Sequence, residues 1–115
     1  RIKNNVSFQN IEEKLLPSTK TVIFINSGWG EIVLYYALRM PNVNFISIER
    51  DHDKSLVANN VAEGRVSNIT FCEEYSFDAC HNGFDSKEVQ TFLLDPSDKE
   101  IADYSFLNPT IVRYI

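Results

Sequence analysis

The chain has 115 residues, a formal net charge of −5, 43% hydrophobic and 23% charged residues, which bounds it to one domain with room for a single sheet and its covering helices. The acidic balance and the scattered Lys and Arg argue against a nucleic-acid partner, because phosphate neutralisation needs clustered cations. No apolar run approaches the roughly 20 residues a bilayer requires, so no membrane partner is expected.

Residues 1–19 read as an N-terminal helix and lead-in. Ser7 is placed to cap a helix over 7–16, Phe8, Ile11, Leu15 and Leu16 fall at helical spacing, and Pro17 ends it. Residues 21–25 (Thr-Val-Ile-Phe-Ile) are β-branched or aromatic at every position, which predicts a central strand covered on both faces. A glycine turn follows at residues 26–30, then a largely apolar helix over 31–40 that should be mostly buried. Pro41-Asn42 breaks the chain before a second strand over 45–49. Asp51 or Asp53 is suited to cap the next helix, whose buried stripe is predicted to be Leu56, Val57, Val61 and Ala62, with Gly64 at its left-handed exit. Residues 68–72 form the third predicted strand, 76–86 a looser stretch, 91–94 the fourth strand closing on Asp95-Pro96, 98–104 a short helix and 110–115 the fifth strand. Strands alternating with helices imply a parallel sheet with right-handed crossovers.

Cys72 and Cys80 fit no metal spacing, and His52 and His81 do not complete a four-ligand site with them, so no metal is expected. So few cysteines and no signal-peptide pattern point to the cytoplasm. The chain begins at Arg1 rather than Met, which suggests a single domain, 1–115, cut from a longer protein.

The chemistry lies in the first strand–turn–helix–strand unit. Gly28 and Gly30 let backbone approach a ligand, and Glu49, nineteen positions beyond Gly30 at the end of the second strand, is placed to accept both hydroxyls of a ribose. A dinucleotide site fits poorly. Its third glycine would fall at Val33, and Glu31 beside the helix N-terminus repels a pyrophosphate while tolerating a cationic sulfonium. A P-loop is excluded, since no Gly-Lys-Ser/Thr sequence occurs.

These residues resemble the class I S-adenosylmethionine-dependent methyltransferases. Gly28 and Gly30 match the last two glycines of the family's first motif, residues 37–42 look like its helix exit, and Glu49 falls at its ribose-binding acid. Asp51, Ala58, Asn60 and Gly64 look like the helix that follows, and residues 68–71 like the third strand. Asp95-Pro96 resembles the start of the Asp-Pro-Pro-aromatic motif of amino-group methyltransferases. The resemblance implies a three-layer Rossmann-like α/β sandwich, sheet order 3-2-1-4-5, without the family's last two strands. It also implies S-adenosylmethionine held by Asn26, Gly28, Gly30, Glu49 and Glu74, with Asp95 and Pro96 at the acceptor, whose identity stays open. Glu73 is close enough to share the adenine role of Glu74, the alternative being that both acids form a solvated face, and Trp29 is placed either to cover the cofactor or to sit on the surface. A sheet ending at the fifth strand leaves an edge for which a second copy or a partner domain is the expected cover. Three departures favour an alternative, a binding or structural domain that keeps the fold without the cofactor. Phe24 replaces the family's acid, Asn26 its first glycine, and the last two strands of the family's sheet are missing.

Overall fold

The structure, a computed structural model, describes residues 11–73 and 88–114. Strands β1 (Thr21–Ile25), β2 (Asn44–Ile48), β3 (Ile69–Cys72), β4 (Val89–Leu94) and β5 (Thr110–Val112) form one sheet in the order β3-β2-β1-β4-β5. Every strand pairing is parallel. The connecting helices are α1 (Glu31–Arg39), α2 (His52–Ala62) and α3 (Asp98–Asp103), with a 3-10 turn at Ser105–Leu107. The order is the one implied by the family resemblance, and the fold is the Rossmann-like α/β architecture expected.

Alternation along β1 builds two cores. Val22 and Phe24 face one side, packed with Phe45, Phe92, Leu94 and the helix residues Val33, Tyr36 and Ala37. Ile23 and Ile25 face the other, with Ile46, Ile48, Leu93, Cys72 and Tyr104. All five β1 residues are buried, which is the physical reason an uninterrupted apolar run belongs at the centre of a parallel sheet. Ile25 lies level with Ile48 on one side and Leu93 on the other. The chain therefore leaves β1, β2 and β4 along one edge, on both sides of the point where strand order reverses, which is where open α/β sheets place ligands.

Helix ends follow local chemistry. The Asp51 carboxylate accepts from the amides of Asp53 and Lys54 and caps α2. Ser97 and Glu100 form a reciprocal capping box at α3. Gly64 follows α2 at φ +79°.

Three expectations are corrected. The buried face of α2 is Ser55, Ala58 and Ala62, while Leu56, Val57 and Val61 are 50%, 41% and 44% exposed. Small residues face inward because α2 lies close against the turn before α1, and large side chains do not fit there. Within α1, Leu38 is exposed and only Val33, Tyr36 and Ala37 are buried. Strand β4 begins at Val89 and β5 ends at Val112, two residues earlier and three residues shorter than predicted. The described helical turn near the N-terminus covers residues 11–14; residues 7–10, and the loose stretch predicted over 76–86, lie outside the described residues.

Candidate cofactor site

Residues 26–30 cross from β1 to α1 and are fastened to the end of β2. The amides of Asn26 and Ser27 both donate to the Ile48 carbonyl, at 2.9 and 3.3 Å. The Ser27 and Ser47 hydroxyls, both buried, are 2.7 Å apart. On the β4 side, Asn26 Nδ2 donates to the Leu94 carbonyl at 3.3 Å. Asn26 itself takes φ +67°, a conformation that asparagine tolerates better than most residues. It serves as a bridge between the strands flanking the switch point.

The two glycines differ in what they do. Gly30, at φ +86°, is so close to α2 that a Cβ built there would lie 2.6 Å from the Ala58 Cβ. Helix packing accounts for its lack of a side chain. Gly28, at φ +63°, has open space where its Cβ would be; beside it a ligand finds bare backbone.

Glu49 follows β2 directly and is 9% exposed. Its Oε1 accepts from the Gly28 amide at 2.7 Å and its Oε2 from the Asp51 amide at 2.9 Å. Its own amide donates to the Cys72 carbonyl at 3.1 Å, tying the strand exit to β3. Gly28 and Glu49, joined by sequence spacing alone at first, are thus brought into direct contact. Trp29 is 52% exposed on the same turn, with Lys54 Nζ 5.8 Å from its ring centroid, within reach of a cation–π attraction. Glu73 pairs with His52, Oε2 to Nδ1, at 2.9 Å. Glu74 lies outside the described residues.

Asp95 leaves β4 exposed and at φ +43°, with its amide donating to the Val112 carbonyl at 2.6 Å. Pro96 is buried, and its carbonyl accepts from Arg113 Nη1 at 2.7 Å. Burial pushes the Tyr114 phenol up to about 12, and the carboxylates of Asp95 and Glu31 add to the shift. Tyr114, after β5, thus feels the charges of one carboxylate from the first turn of α1 and one from the segment after β4.

Among the described residues no cluster of three His, Cys, Asp or Glu is arranged to hold a metal ion. None of the described helices is long and apolar enough to cross a membrane. Cys72 is disulfide-bonded, a structural use that its spacing did not reveal and one that pulls against the reducing compartment expected from the cysteine count.

No protein-family model and no curated protein sequence matches the chain. Solved structures do. YjhP from E. coli is similar with a TM-score of 0.62 at 13% identity, over 96% of this chain and 45% of its own. A SAM-dependent methyltransferase from Geobacter sulfurreducens, in complex with S-adenosyl-L-homocysteine, is similar with a TM-score of 0.54 at 18% identity, over 82% of this chain and 36% of its own. The DszA carbon methyltransferase gives 0.50 at 15% identity, over 79% and 25%. The chain has the fold of class I SAM-dependent methyltransferases. It spans less than half the length of these proteins.

Proposed function

We propose that the edge formed by residues 26–30, Glu49 and Asp95 binds S-adenosylmethionine and presents it for methyl transfer. One observation carries this reading: Glu49 is held by the Gly28 and Asp51 amides at the carboxyl end of β2, beside open space at Gly28. The residues fit the cofactor. A carboxylate oxygen has two lone pairs, so each oxygen of Glu49 keeps acceptor capacity for one hydroxyl of a vicinal diol. The carboxylates of Glu31 and Asp95 at the other end of the edge suit a cation and oppose a pyrophosphate. S-adenosylmethionine supplies an electrophilic methyl group on a sulfonium; the chain supplies binding and orientation, which such a transfer needs more than acid–base chemistry. Asn26, Gly28, Gly30 and Glu49 line the cofactor side, with Glu74 assigned to the adenine end. Asp95 accepts a hydrogen bond from the methyl acceptor, and Pro96 after it narrows the backbone freedom of Asp95. The acceptor class is open.

Phe24 favours a second reading, a domain that keeps the fold and binds partners without the cofactor. Its ring is 1% exposed among Tyr36, Phe45 and Phe92, so the position of the family's acid offers no carboxylate to the methionine end. Calorimetric titration with S-adenosylmethionine and S-adenosylhomocysteine separates the two. Binding of both is expected for wild type, with affinity reduced in Glu49→Ala by about 2–4 kcal/mol, or roughly thirty- to several-hundredfold. No heat and no competition at millimolar ligand would select the second reading, and unchanged affinity in Glu49→Ala would move the site elsewhere.

A further inference from the structure

The carboxylate of Glu49 touches two separate helix entries. Oε1 takes the Gly28 amide in the turn before α1, and Oε2 takes the Asp51 amide, Asp51 being the residue whose side chain caps α2. The turn before α1 also meets the middle of α2, where Gly30 packs on Ala58. Backbone amides donating to an ionised carboxylate are among the stronger hydrogen bonds, and in a side chain this buried they fix its orientation before any ligand arrives.

We propose that Glu49 is a positioning residue that couples the order of residues 26–30 to the order of the first turn of α2, and that a vicinal diol shares its carboxylate with the two amides rather than displacing them. The coupling is a property of the ligand-free chain. The sharing rests on the nucleoside reading given above. Glutamine is not a neutral replacement here, because its amide nitrogen has no lone pair to accept; whichever way it turns, either Gly28 or Asp51 loses its partner. Loosening one entry should then be felt at the other only while Glu49 is present.

Native-state amide hydrogen exchange, followed by NMR on the full chain, tests both halves. In Glu49→Ala the Gly28 and Asp51 amides should exchange roughly tenfold faster or more, as expected for one lost charge-assisted bond each, while the amides of Val22 to Ile25 keep their protection. Ser47→Ala removes the Ser27–Ser47 contact, on the turn side only. Coupling predicts faster exchange at Asp51 in Ser47→Ala, and no added effect at Asp51 when Ser47→Ala is combined with Glu49→Ala. An Asp51 amide unmoved by Ser47→Ala, or moved equally in both backgrounds, overturns the coupling without touching the methyltransferase reading. With S-adenosylhomocysteine at millimolar concentration, sharing predicts slower exchange at both amides of the wild-type protein. Acceleration at either amide overturns the sharing while leaving cofactor binding intact. No change at any amide rejects the nucleoside reading and the sharing with it, and leaves the coupling to be judged on the ligand-free data.

Discussion

His52 shows how a neighbour in space resets a residue's chemistry. Its Nδ1 lies 2.9 Å from Glu73 Oε2, and that hydrogen bond, then the Glu73 charge, with Asp53 and Asp51 adding, raises the imidazole above its ordinary value of 6.5. The sign follows from linkage. A group whose folded value is raised contributes stability that is fully present below the unfolded value and is lost as pH rises through the folded one. An NMR titration of the His52 ring should give a midpoint above 6.5 in wild type and a return toward it in Glu73→Gln. An identical midpoint in both proteins would mean that the pair does not form in solution. Both side chains are largely exposed, so its contribution to stability is small. Twenty-one residues separate the two, and only the adjacency of β2 and β3 brings them together; in the sequence Glu73 reads as an adenine contact or a solvated acid.

Between elements, the contact of Gly30 with α2 decides more than the pattern of large apolar residues. Gly28 and Gly30 both take positive φ, yet a side chain at Gly28 meets nothing within 4 Å while one at Gly30 meets Ala58 at 2.6 Å. Gly28→Ala should therefore cost about 1–2 kcal/mol from backbone conformation alone, and Gly30→Ala a further 1–3 kcal/mol or so from overpacking. Urea denaturation of the two variants checks the order. Adding Ala58→Gly to Gly30→Ala should recover part of the loss, a non-additivity expected of residues in contact; strictly additive losses would remove the contact as the cause. A periodic reading selects Leu56, Val57 and Val61 as the inner face because it weighs hydrophobic size. The close approach of two backbones rewards Ser55, Ala58 and Ala62 instead.

Across the whole molecule, the sheet is organised about Phe24. Its ring centroid lies 6.1 Å from those of Tyr36 and Phe45 and 5.6 Å from that of Phe92, joining α1 to three adjacent strands. Phe24→Ala should cost about 3–5 kcal/mol. Phe24→Asp, which restores the acid of the resembling family, should destabilise at least as much, because a carboxylate among these buried rings is desolvated. Chemical denaturation monitored by circular dichroism gives both values. A folded Phe24→Asp with tighter S-adenosylmethionine binding would show that this position faces the ligand edge and not the core. Nothing in residues 22–25 alone distinguishes those two faces, since every one of those positions is apolar.

From the amino-acid order alone, a parallel sheet and the positions of Gly28, Glu49 and Asp95 at the exits of strands are legible, because they depend on local periodicity and on spacing, which the chain carries in one dimension. The strand order comes with the family resemblance. The sequence also marks Asp51 as a helix cap and Gly64 as a helix exit, because capping chemistry acts over three or four residues. Tertiary structure alone decides which face of α2 is buried, that Glu49 binds two backbone amides, and that Glu73 turns to His52. Each of these depends on atoms from elements far apart in sequence. The sheet register sets their distances, and no pattern within one segment encodes them.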